Sequence, residues 1–114
     1  MLSISNEIRE LLSDNATRAK ADPNFDPIPH LKLFTPWARC TWLITESDSK
    51  DPNLVYGLAD LGNGEPEFGA INLHEILSLT GPQGMLVEVD KYWEPKHPIS
   101  VYIENAQKAG RIIF

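Results

Sequence analysis

Residues 39–46, Arg-Cys-Thr-Trp-Leu-Ile-Thr-Glu, and residues 54–61, Leu-Val-Tyr-Gly-Leu-Ala-Asp-Leu, decide the fold. Both runs are rich in β-branched and aromatic residues, which fit a pleated, half-buried surface. On an extended chain Cys40, Trp42 and Ile44 share one face, and Thr41, Leu43 and Thr45 share the other. The second run is apolar on both faces, as a central strand is. The turn-rich residues 47–53 join the two, so the spacing predicts an antiparallel hairpin.

Working outward, Gly62-Asn63-Gly64-Glu65-Pro66 is a turn, and residues 67–71 are a third strand. Asn72 opens a helix, with Glu75 in the capping-box position and Gly81-Pro82 as the stop. Residues 85–89 are a further strand that can extend to Trp93, with Met85, Val87 and Val89 on one side and Glu88 and Asp90 on the other. Pro98 opens a last helix over 98–109, its apolar stripe formed by Ile99, Tyr102, Ile103, Ala106 and Ala109, with Gly110 as the stop. Toward the N-terminus, Ile4, Ile8, Leu11 and Leu12 predict a helix over 4–14, with Asn15 as a left-handed stop, although Thr17 to Ala21 can carry it on for another turn. Four prolines between Pro23 and Pro36 make residues 22–36 an extended strap. The expectation is one α+β domain over 1–114: a mainly antiparallel sheet of three to four strands within 39–93, a helix inserted in it, and about three helices in all.

Composition sets the limits. The chain has 114 residues and a formal charge of −6, with 42% apolar and 23% charged residues. A chain of this length buries roughly 65% of its unfolded surface, enough for a single core. No run approaches the roughly 20 apolar residues of a membrane span, and no secretory signal is evident at residues 1–12. With Cys40 as the single cysteine, no internal disulfide forms, and a reducing cytoplasmic setting is expected. Scattered basic residues and an acidic balance argue against nucleic-acid binding.

The segments 32–36, 41–46, 56–62 and 64–69 look like one ordered pattern. Leu73 with Glu75, Gly81-Pro82 with Gly84, and residues 109–112 continue it. Together they resemble a bacterial domain-of-unknown-function family of short proteins carried on plasmids, integrative conjugative elements and other mobile DNA of proteobacteria. The resemblance implies a small stand-alone cytoplasmic protein and carries no catalytic residues with it. Members often have a cysteine where this chain has Ala59, so no thiol function is expected there.

Few residues suggest chemistry. The Gly62–Gly69 segment lacks the lysine of a phosphate loop. His30, His74 and His97 have no metal-ligand spacing, and Cys40 reads as a small core residue. No cofactor or metal is expected. Asp60, Glu65, Glu67, Glu88 and Asp90 can gather at one end of the sheet, and Trp37 and Trp93 stand beside acidic or extended segments. Aromatic residues next to carboxylates suit a protein interface, although clamping of the strap to the core accounts for both rings slightly better. These seven residues are the interface candidates. The preferred reading is a non-enzymatic protein that binds a protein partner of a conjugation, maintenance or host-defence system, inhibition of a nuclease being one form. The alternative is a small metal-dependent hydrolase or nuclease-like enzyme using Asp60, Glu65 and Glu67. The apolar residues 112–114 and the tryptophans also allow a homodimer.

Overall fold

In a computed structural model describing residues 2–114, the predicted hairpin is the centre of the sheet. Strand β2 (Thr41–Ser47) pairs antiparallel with β3 (Leu54–Asp60), placing Trp42 opposite Ala59 and Leu43 opposite Leu58. Thr45 is an extra residue in β2, where the register shifts between Ile44 and Glu46. Its hydroxyl donates to the Tyr56 carbonyl at 3.1 Å, which satisfies a fully buried polar group. Next to β3 lies β4 (Glu67–Asn72), and the whole sheet runs β4-β3-β2-β1-β5, antiparallel throughout.

The sheet therefore has five strands rather than three to four. The extra strand, β1 (Leu31–Phe34), lies inside the proline-rich stretch that sequence reading made a strap. Its four residues contain no proline, so their amides are free to pair, and Pro29 and Pro36 stand just outside. Leu31 and Leu33 point into the core, and Lys32 and Phe34 to the opposite face. Strand β5 is only Glu88–Val89. The Asp90 carboxylate ends it by accepting the N–H groups of Tyr92 and Trp93, each at 3.1 Å.

Helix α1 (Asn6–Ala21) is longer than the predicted 4–14. Ser5 caps it, accepting the Ile8 N–H at 3.2 Å. Asn15 does not end the helix. Its buried amide donates to the Ile28 and Thr45 carbonyls at 3.0 and 2.8 Å and fastens helix, strap and bulge together. Asn72 caps the short α2 (Leu73–Leu77) by accepting the Glu75 N–H. Helix α3 (Ile99–Ala109) ends at Gly110 in the left-handed conformation.

Both faces of the sheet are covered. Leu12, Leu31, Leu33, Trp42, Ile44, Val55, Leu73 and Val87 form the core under α1 and α2. Leu43 and Leu58 pack with Ile99, Tyr102, Ala106 and Ile112 on the α3 face. The two faces read from the alternation of β2 are thus two separate cores. Each buried Leu or Ile contributes about 1.5–3 kcal/mol relative to exposure. Among the described residues no helix is long and apolar enough to cross a membrane.

Candidate functional site

The antiparallel register decides which predicted residues can meet. Glu88, Phe34, Thr41 and Asp60 form one cross-strand row from β5 to β3, and Glu67 pairs with Ala59 beside it. The carboxylates of Asp60, Glu67 and Glu88 do share one end of the sheet. They do not cluster: β1 and β2 intervene, and three strand spacings put Glu88 roughly 14 Å from Asp60. Among the described residues no group of three or more His, Cys, Asp or Glu side chains is placed to hold a metal ion.

Four of the seven candidates are occupied with holding the fold. Asp60 is only 8% exposed, and its two oxygens accept the N–H groups of Gly62 at 2.9 Å and Ile112 at 3.0 Å. Asp90 accepts a hydrogen bond from the Lys32 ammonium at 3.0 Å. That bond, with the Tyr92 and Trp93 amides, holds its carboxyl below the ordinary carboxylate range against the opposing effect of burial. Trp93 packs on the α3-side core, 6.1 Å from the Tyr102 ring and 6.3 Å from that of Phe114. The Lys32 ammonium lies 3.8 Å from the Phe114 centroid and 5.9 Å from that of Trp93, in cation–π contact with both. Trp37 packs against the opposite core, and a Cβ on Gly81 would overlap its indole. Both tryptophans are half-buried against a core.

Glu65, Glu67 and Glu88 remain exposed, and none of them forms an ion pair among the described residues. Sequence reading missed their apolar neighbours: Leu61 is 54% exposed and Phe68 42%. Apolar periodicity alone reads both as core, and only the position of β4 at the sheet margin shows that nothing covers Phe68. Tyr92, adjacent to the candidate Trp93, is the ring that faces solvent.

Sequence reading also missed a cleft of about 500 Å³ at the same sheet end. Arg39, from the β1–β2 turn, lines it with Asp60, Gly62 and Gly64 of the β3–β4 turn and Gly110, Arg111 and Ile112 beyond α3. Over residues 3–113 the chain matches the model of a family described as a protein of unknown function (DUF2958). The chain belongs to this family. Comparison with curated proteins and with solved structures gives no match. Within this DUF2958 chain, three segments that carried the resemblance, 56–62, 64–69 and 109–112, converge on the cleft and the hairpin beside it.

Proposed function

We propose that this DUF2958 protein is a non-enzymatic binding protein that takes an extended, basic segment of a protein partner along the β4 margin. The observation that supports this is the composition of β4. Within Glu67–Asn72 there is no proline or lysine, and its pairing with β3 shows no register shift. Edge strands are ordinarily blunted by such features, so an unblunted one is a template for strand addition. Leu73 donates its N–H to the Asn53 carbonyl at 2.8 Å. Antiparallel alternation then turns the N–H and C=O groups of Phe68 and Ala70 outward. Phe68 supplies an apolar anchor, and Glu65 and Glu67 supply charge for basic side chains. Following the resemblance, the partner belongs to a conjugation, maintenance or host-defence system, and the protein is a cytoplasmic product of mobile DNA.

The test is affinity capture from a bacterial lysate with mass spectrometry, at low and at moderate salt. The wild-type protein, Phe68→Ser and the double variant Glu65→Lys, Glu67→Lys serve as baits. The expected result is one partner, retained at low salt, weakened by salt because exposed charges are screened over about 8–10 Å, and lost with both variants. Equal retention by wild type and variants overturns the assignment to β4. No partner at low salt overturns the binding reading and directs the search to metal-dependent hydrolysis. There, a melting-temperature shift with Mn²⁺ or Mg²⁺ that Glu67→Gln abolishes is the signature.

A further inference from the structure

The cleft at the sheet end has a charge character opposite to that of the molecule. The chain carries sixteen acidic residues against ten basic ones, and four of the ten are arginines. Two of those four, Arg39 and Arg111, line this one cleft although they lie 72 positions apart. Neither guanidinium has a carboxylate within 4.0 Å, since the ion pairs among the described residues are Lys32–Asp90 and Lys108–Glu104. Asp60 sits in the same lining, but its oxygens are held by the amides of Gly62 and Ile112. Two cations and one anion leave the lining at +1 in a molecule of −6.

The backbones carrying the two arginines are fixed relative to one another. Gly62 adopts φ 76° against Arg39, where a Cβ would stand 3.3 Å from the Arg39 Cβ. Gly110 adopts φ 74° against the next turn, where a Cβ would stand 3.2 Å from the Gly64 carbonyl oxygen. Ile112, directly after Arg111, is bound through its N–H to Asp60, two residues before Gly62. Close approach at these two glycines therefore forms part of the cleft wall, with no side chain at either position. Arginine forks suit planar or tetrahedral oxyanions, with two parallel N–H donors each.

We propose that this cleft binds a small molecule through an oxyanion, a phosphate or carboxylate group held between the Arg39 and Arg111 guanidiniums. A volume of about 500 Å³ exceeds what one inorganic anion fills and lies in the range of small-ligand pockets, roughly 300–1,000 Å³. The flanking Glu65 and Glu67 and the overall charge oppose a long phosphate backbone, so the ligand is a small molecule and not a nucleic acid. The site is independent of strand addition at β4, because the arginines lie outside that strand.

The experiment follows backbone amide shifts of the full chain during titration with pyrophosphate and, separately, with citrate, at ionic strength matched with sodium chloride. Expected are saturable shifts at Arg39, Gly62, Gly64, Gly110 and Arg111. The double variant Arg39→Gln, Arg111→Gln weakens binding by about tenfold or more, the worth of one charged hydrogen bond. Both side chains are exposed, so the variant keeps the melting temperature of the wild type. Replacing both by lysine gives intermediate affinity, because charge is kept and the fork is lost. Pyrophosphate alone identifies a phosphate ligand and citrate alone a carboxylate. Shifts no larger than those from sodium chloride, or shifts unchanged in the glutamine variant, overturn the proposal.

Discussion

Asp60 accepts the main-chain N–H of Ile112 at 3.0 Å, joining the end of β3 to the segment after α3 across 52 positions of sequence. The other carboxylate oxygen takes the Gly62 N–H and shapes the β3–β4 turn. One side chain thereby holds Ile112 in the α3-side core, where it packs with Leu43, Leu58 and Tyr102. Removing it leaves a buried amide without a partner. Asp60→Ala is expected to destabilise by about 2–3 kcal/mol, and Asp60→Asn, which keeps one acceptor oxygen, by less. Urea denaturation decides the matter. A cost within about ±0.5 kcal/mol is what an ordinary surface carboxylate gives and does not fit this role.

A second long-range cap starts α3. Pro98 offers no side-chain acceptor, and Asp26 supplies one from 74 positions away. Its carboxylate accepts the Ser100 N–H at 3.0 Å and the Ser100 hydroxyl, while the Ile99 N–H donates to the Pro27 carbonyl at 2.7 Å. Asp26→Ala should cost about 1 kcal/mol, as other caps do. Hydrogen exchange should quicken at Ser100 and Val101 and stay unchanged in β3. Uniform quickening across the chain would show that the contact is not local to the helix start.

These two caps mark where sequence reading stops. The central hairpin, the Asn72 cap and the Gly110 stop were legible because each depends on neighbours in the chain: alternation, an Asn three residues before the amide it accepts, a glycine after a helical stripe. Strand β1 was obscured because four prolines between Pro23 and Pro36 dominate the local signal, while the pairing of Leu31–Phe34 with β2 is a tertiary fact. Asn15 has the local chemistry of a stop, and its partners Ile28 and Thr45 overrode that preference. Of the carboxylates expected at one end of the sheet, the register puts Asp60, Glu67 and Glu88 there, while Asp90 lies opposite Lys32, two positions inward. Sequence could not show that β1 and β2 lie between Glu88 and Asp60, nor that Arg39 and Arg111 line a cleft with Asp60.

Trp37 offers a sharp separation of structural and interface roles. Its indole fills the space that a side chain at position 81 would need. Gly81→Ala is therefore expected to destabilise by about 1–3 kcal/mol through overpacking, and Trp37→Ala by about 3 kcal/mol through loss of a large ring. The double variant should cost less than the sum of the two, because the cavity left by the ring accepts the new methyl group. Strict additivity in thermal or urea unfolding would mean that the two positions do not share this space.

The response to acid follows from two groups whose pKa values are depressed in the folded state. Burial, then the charge of Arg18, lowers that of His30 below its usual 6.5, against the opposing charge of Asp14. The hydrogen bond from Lys32 lowers that of Asp90 below its usual 3.8. For a depressed group the stabilisation is complete above the unfolded pKa and disappears as pH falls through the folded one. Stability is therefore expected to decline in two stages, the first below about pH 6.5 and the second below about pH 4. His30→Gln should remove the first stage and Asp90→Asn the second. Glu46 acts in the opposite sense: burial raises its carboxyl pKa, so its ionised form weakens the fold at neutral pH. Glu46→Gln should consequently raise the urea midpoint at neutral pH and leave it little changed in acid, where the carboxyl is already protonated. A midpoint raised equally at both pH values would assign the gain to packing and not to charge.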